Sequence, residues 1–202
     1  GERSLYGHSF PDGLKKNQKL PHTIITPTTK AAQGDHDAPI TEAEILSSKL
    51  LSSEHWEELS EKSLALFSRG RELAKENGLI LVDTKYEFGL DENGVITVAD
   101  EIHTPDSSRY WISDTYDERF NASENPESLD KEFLRLWVVA QCDPYKDPIP
   151  DIPDETLIHF GEKYIQLYEI VTGQKFEKPP LSEPAKERIR RALTSELPEY
   201  FS

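Results

Sequence analysis

Between Thr41 and Gly78 apolar residues recur at helical spacing; from Leu79 they run together and then alternate with charge. "TEAE" at 41–44 is a capping box with Glu44 at the third helical position, and it predicts a short helix to about Leu51. A second helix starts at Ser53, where Glu54, Glu57 and Glu58 suit a helix N-terminus, and runs to about Asn77 before Gly78. Trp56, Leu59, Ser63, Leu66, Phe67 and Leu73 mark its buried face. Residues 79–90 and 95–103 read as two strands joined through "DENG", whose Asn93-Gly94 pair is a strong hairpin signal.

Residues 104–128 are rich in turn formers. "SLDKEFLRLWVV" starts a helix with Ser128 as its cap, the proline-rich "CDPYKDPIPDIPDE" is a loop, and another helix runs from about Asp154 to Val171, ending at Gly173. "KPPLSEP" is a linker before a short charged helix in "EPAKERIRRALTSEL". Residues 1–40 lack sustained periodicity; Pro21, Pro27 and Pro39 favour extended pieces and loops, and "GERSLYG" shows no helix or strand start. The pattern predicts the α+β class, an antiparallel sheet with packed helices. Three parts are expected: an entry segment at 1–40, a main lobe at 41–175, and a linker with a peripheral helix at 176–202.

Charge narrows the function. The net charge of −15 argues against a protein that coats nucleic acid or binds an anionic membrane, but leaves room for a local basic pocket. No apolar run approaches the ~18 residues of a membrane span, and no leader pattern is visible. The single cysteine, Cys142, allows no internal disulfide and reads as a small buried hydrophobe, which fits a reducing compartment such as the cytoplasm. The chain has no methionine, so either it is a fragment of a longer protein or residues are lacking at its start.

The first strand, "LILVDTKYEFG", enters apolar and leaves charged. Residues two apart share a face, so Asp83, Lys85 and Glu87 point one way and Val82, Thr84, Tyr86 and Phe88 the other, toward the helices. With a two-residue turn at Asn93-Gly94, Glu92 pairs with Val95 and Glu87 stands opposite Asp100. Opposed side chains have Cβ atoms about 4.5–5.5 Å apart, so these carboxylates repel unless a cation or a proton lies between them. Two carboxylates completed by water and phosphate oxygens suit Mg²⁺. A four-residue turn brings Asp100 opposite Lys85 instead, and a three-residue turn puts it on the other face and breaks the site. A solvent-facing hairpin with cross-strand ion pairs produces the same alternation. Beyond the hairpin, Asp106, Ser107, Ser108 and Arg109 form a donor-rich turn suited to phosphate or carboxylate.

"LILVDTKYEFG" followed by "DEIHTPDSSRYW" resembles the SAICAR synthetases, the phosphoribosylaminoimidazole-succinocarboxamide synthases of purine biosynthesis. The likeness continues in "LPHTIITPTTKAAQGDHD", "SLDKEFLRLW" and "KYIQLYEIVTG", and covers most of residues 5–175. It implies the larger C-terminal lobe of a two-lobe, kinase-like α+β fold, entered after an N-terminal ATP lobe whose motifs do not occur in this sequence. It also implies a cytoplasmic enzyme that uses ATP to join L-aspartate to carboxyaminoimidazole ribotide through an acyl phosphate, with no nucleic-acid or membrane partner.

By the same resemblance, Glu87 and Asp100 hold Mg²⁺ on the ATP phosphates, and Asp83 and Lys85 face the nucleotide substrate. Asp106, Ser107, Ser108 and Arg109 form the ribotide turn, with Arg109 on the phosphate. Arg135 is a second arginine near the substrate and Lys131 its companion. Thr28, Thr29, Lys30, His36 and Asp37 line the substrate region. The opposing readings are a non-catalytic acidic module that holds a divalent cation or a partner protein, and a different kinase-like phosphotransferase. His22, His55, His103 and His159 have no ligand-like spacing and are expected to be structural or solvent-facing.

Overall fold

The computed structural model describes residues 4–30, 37–180 and 182–200. Helix α1 spans Glu42–Ser47 and opens on the expected capping box: Glu44 N donates to Thr41 Oγ1 at 3.3 Å and Thr41 N to Glu44 Oε2 at 2.8 Å. It ends four residues before the expected Leu51. Helix α2, Ser53–Glu76, is capped by Ser52, which accepts from His55 N. Beyond it Gly78 turns left-handed at φ +72, the geometry that stops a helix most cheaply at glycine. The buried residues of α2 are Gly70 and Ala74, whereas Leu73, expected inward, is 40% exposed.

Strand β3, Leu79–Thr84, pairs antiparallel with a strand that the turn-rich reading of 104–128 had hidden, Ser108–Ile112. Leu79 faces Ile112 and Leu81 faces Tyr110, but the register then shifts, so that Asp83 faces Arg109 and Thr84 faces Ser108. The extra residue is Val82. A bulge reverses which side chains point inward. Before it the odd-numbered Leu79 and Leu81 are buried; after it Thr84 sits over the buried Ser108 with the two hydroxyls 2.8 Å apart. Asp83 is thereby released to the outer face. One strand thus begins in the core and ends in charge because its pleat is reset midway.

The run 79–90 is not one continuous strand. Residues 85–87 leave the ladder, and β4, Phe88–Leu90, pairs antiparallel with β5, Ile96–Val98. The hairpin register differs from the expected one. Leu90 faces Ile96 and Phe88 faces Val98, which leaves a three-residue loop. Asp91 sets that length: its Oδ1 accepts from Asn93 N at 2.9 Å and Val95 N at 2.8 Å, while Gly94 alone takes the left-handed backbone, φ +77. Ala99 N, not Asp100, therefore donates to Glu87 O, at 2.9 Å. Lys62 of α2 fastens the hairpin by donating to Ile96 O at 2.7 Å.

Ser108–Ile112 is β6 in chain order, and the short hairpin of β1, Ser4–Leu5, and β2, His8–Ser9, occupies the start where no strand was expected. Helix α3, Ser113–Asn121, follows β6 directly, and Trp111, Tyr116 and Phe120 stack with successive ring centroids 5.8 Å apart. Helix α4, Glu132–Gln141, is opened by Asp130 rather than by Ser128: Asp130 Oδ1 accepts from Glu132 N at 2.8 Å. Helix α5, Asp154–Thr172, stops at the left-handed Gly173, and α6, Ala185–Glu196, completes the set. Ala74, Leu79, Leu81, Tyr110, Leu129 and Leu167 form the buried cluster, so α2, the β3–β6 pair and α5 share one core. All strand pairs are antiparallel and sit with packed helices, as the α+β expectation requires. Among the described residues no helix is long and apolar enough to cross a membrane.

Candidate active site

The site is assembled where β3 leaves its ladder. An arm from the N-terminal part reaches it, fastened by Tyr116 OH on Asn17 O at 2.7 Å and Arg71 on Thr23 Oγ1 at 3.3 Å. Thr28 bridges Pro39, and Thr29 N donates to Ala38 O at 2.9 Å, which brings Lys30 and Asp37 to the same end of this pairing. His36 lies outside the described residues.

These two side chains meet the strand break. Lys30 Nζ lies 2.5 Å from Glu87 Oε2, and Lys85 Nζ lies 2.9 Å from Glu87 Oε1 and 3.6 Å from Asp37 Oδ2. Acid and base alternate along Asp37, Lys85, Glu87 and Lys30. Hydrogen bonds from Lys30 and then Lys85 hold the Glu87 carboxyl down at about 2. Lys30 is raised in turn, first by its bond to Glu87, and Asp100 adds to the same shift. Glu87 and Asp100 do not stand opposite one another: with the three-residue loop Glu87 pairs with Ala99, so the expected opposed pair of carboxylates is not formed. Among the described residues no group of three or more His, Cys, Asp or Glu side chains is placed to hold a metal ion, so any cation here rests on this pair with oxygens from outside the protein.

Across the bulge, Arg109 Nε bonds both oxygens of Asp83, at 2.9 and 3.1 Å. That bond raises the guanidinium's pKa. Both side chains are about half exposed, 47% and 49%. The donor-rich turn is built by Ser108 N on Thr104 O at 2.9 Å, and tied to the strand by Lys85 N on Ser107 O at 2.9 Å. Asp106 Oδ1 accepts from Tyr164 OH of α5 at 2.8 Å; burial first, and then that bond, raises the Tyr164 phenol. Ser107 stays near the surface, but Ser108 is buried with its hydroxyl on Thr84, which makes it a brace under the turn.

Lys131 and Arg135 open α4. Arg135 is paired with Glu132 through two bonds of 2.6 and 2.5 Å, and Lys131 is exposed. Beneath them Asp130 is fully buried. Its Oδ2 accepts from Tyr110 N at 2.8 Å and from Ser128 Oγ at 2.9 Å. Asp130 and Tyr164 were not among the residues that the sequence singled out. An acid two residues before a helix was the available signal for Asp130, and the Ser128 cap reading displaced it. For Tyr164 no local signal exists, because its partner is 58 residues away.

The chain matches the family model for SAICAR synthetase over residues 3–152. It is 52% identical over 190 residues to the phosphoribosylaminoimidazole-succinocarboxamide synthase of Legionella pneumophila (strain Lens), a match covering 94% of this chain and 60% of that one. It is similar to the solved SAICAR synthase of Saccharomyces cerevisiae complexed with SAICAR, at 34% identity and a TM-score of 0.69, over 87% of this chain and 55% of that one. It is also similar to a type-2 SAICAR synthetase solved in complex with ADP, at 28% identity and a TM-score of 0.61, over 82% of this chain and 57% of that one. The chain thus spans less than two thirds of each of these relatives.

Proposed function

The chain belongs to the SAICAR synthetase family, and on that premise we propose that within the full-length protein it joins L-aspartate to carboxyaminoimidazole ribotide at the expense of ATP. A carboxylate is a poor electrophile. Its conversion to an acyl phosphate supplies a leaving group; the aspartate amine then attacks, phosphate departs, and the amide of SAICAR remains. Catalysis of such a transfer is mostly positioning and neutralisation of charge. The observation that carries this reading is the convergence of Lys30, Asp37, Lys85 and Glu87, beside the Asp83–Arg109 pair, at one break in the strand.

In this reading Glu87 and Asp100 hold Mg²⁺. Both are oxygen donors of the kind Mg²⁺ takes, although the three-residue loop sets Asp100 off the position opposite Glu87. When bound, the ion neutralises negative charge on the ATP phosphates. Lys85 offsets charge at the reacting carboxylate, and Asp83 orients Arg109 toward the ribotide phosphate. Asp106 and Ser107 accept and donate at the ribotide turn, with Ser108 supporting them from below. Arg135 and Lys131 supply further positive charge from the start of α4. Thr29, Lys30 and Asp37 line the site from the loop. Residues 41–175 form the main lobe, 1–40 its lining, and 176–202 a peripheral tail. The enzyme works in the cytoplasm on small molecules.

The test uses the full-length natural protein. ADP should appear only when L-aspartate and the carboxylated ribotide are both present, with SAICAR formed in equal amount. Phosphate left on an acceptor, or ADP release without SAICAR, would overturn the reading. A Glu87→Gln variant should stay folded and lose Mg²⁺-dependent turnover by about 100-fold or more; undiminished turnover removes Glu87 from the metal site.

A further inference from the structure

Two locally unfavourable features meet at one imidazole. His103 holds a left-handed backbone at φ +57, uncommon outside glycine. Gly70 lies within the long helix α2, where alanine is the better helix former. The two are in contact. A Cβ on Gly70 would lie 2.7 Å from His103 Nδ1 and 2.8 Å from Nε2, closer than any real contact of that kind. Glycine is therefore required at position 70 to make room for this ring.

The other side of His103 is fully engaged. Its Nε2 is hydrogen-bonded to the Tyr86 hydroxyl, and the two rings stand 5.5 Å apart. Its carbonyl accepts from Tyr110 OH at 2.8 Å.

The place of these groups in the chain gives them a role. Tyr86 stands between Lys85 and Glu87. His103 stands between Asp100 and the Asp106–Arg109 turn. We propose that His103, wedged against Gly70 and bonded to Tyr86, is a positioning residue that sets the separation between the Lys85–Glu87 segment and the ribotide turn. This rests on the ligase reading above. Each segment can bind its own ligand unaided, but transfer between the two ligands depends on their separation. Loss of the link should therefore act on kcat rather than on KM.

Three variants of the full-length protein test this. Tyr86→Phe keeps the ring and removes only the hydroxyl. His103→Asn removes the imidazole, and asparagine tolerates the left-handed backbone. Each should lower kcat about tenfold while KM for ATP and for the ribotide stays within about twofold. Gly70→Ala should lower kcat similarly, yet add nothing to His103→Asn, where no ring remains to be displaced. Wild-type kcat in Tyr86→Phe, or a Gly70→Ala loss that persists in the His103→Asn background, would overturn the proposal; should His103→Asn not fold, Tyr86→Phe decides alone. Imidazole ¹⁵N spectra separate this from the ligase reading. Tyr86→Phe should move the His103 Nε2 resonance, and an unmoved resonance refutes the link whatever the enzyme makes. Failure of the wild-type protein to form SAICAR instead refutes the ligase reading.

Discussion

At the scale of single residues, the site depends on side chains whose partners are far away in sequence. Glu87 is the clearest case. Its carboxyl is held at about 2 by the ammonium groups of Lys30 and Lys85, against an ordinary value of 4.5. The native value is the lower one, so the ionic contribution is full above about pH 4.5 and is lost as pH falls through about 2. Water screens these groups, so the effect on stability is small and the titration itself is the better readout. A carboxyl ¹³C titration of Glu87 should show a midpoint near 2, and Lys30→Ala should move it upward. Asp130 behaves differently because it is fully buried and accepts from Tyr110 N, Ser128 Oγ and Glu132 N. Asp130→Ala strands those donors and should cost about 3 kcal/mol in urea unfolding. Lys85 and Glu87 drew notice in the sequence because charge that follows an apolar run is unusual. Asp130 did not, because an acid in a polar stretch gives no sign that it will be buried.

At the scale of elements, two devices shape the site, the bulge at Val82 and the three-residue hairpin loop. Helix limits were read well where caps are local: Thr41 with Glu44, Gly78 and Gly173 mark boundaries by their own backbone chemistry. The strands were read less well. β6 carries Ser108 and Arg109 in a stretch that looks like a turn, and only its pairing with β3 makes it a strand. The hairpin register turned on whether Asn93 or Asp91 controls the loop. Asn93-Gly94 favours a two-residue turn, but the Asp91 carboxylate takes two backbone N–H groups and lengthens the loop by one. Gly94, at φ +77, is then the position that cannot bear a side chain cheaply. Gly94→Ala should lower stability by about 1 kcal/mol, seen as a reduced urea midpoint with unchanged slope.

At the scale of the whole molecule, charge and coverage matter most. A net charge of −15 on 202 residues opposes compaction. Raising ionic strength from about 0.01 to 0.15 M shortens the screening length from about 30 to 8 Å, so the melting temperature should rise over that range; a fall would mean that the surface ion pairs outweigh the general repulsion. At the candidate site Lys30, Lys85, Arg109 and Arg135 are each paired with a carboxylate, Glu87, Asp83 or Glu132, so the charge there is balanced rather than basic.

What the sequence determined by itself was the fold class and those helix ends that a capping box or a left-handed glycine marks, at Thr41, Gly78 and Gly173, since these follow from residue types and from contacts within a few positions. What the tertiary structure decided was which groups meet. A pleat has a period of two, so one inserted residue at Val82 or one added to the hairpin loop reverses every side chain beyond it. No local pattern announces such an insertion. The meeting of Lys30 with Glu87, Tyr164 with Asp106, and His103 with Gly70 and Tyr86 follows from chain segments brought together by the shared core.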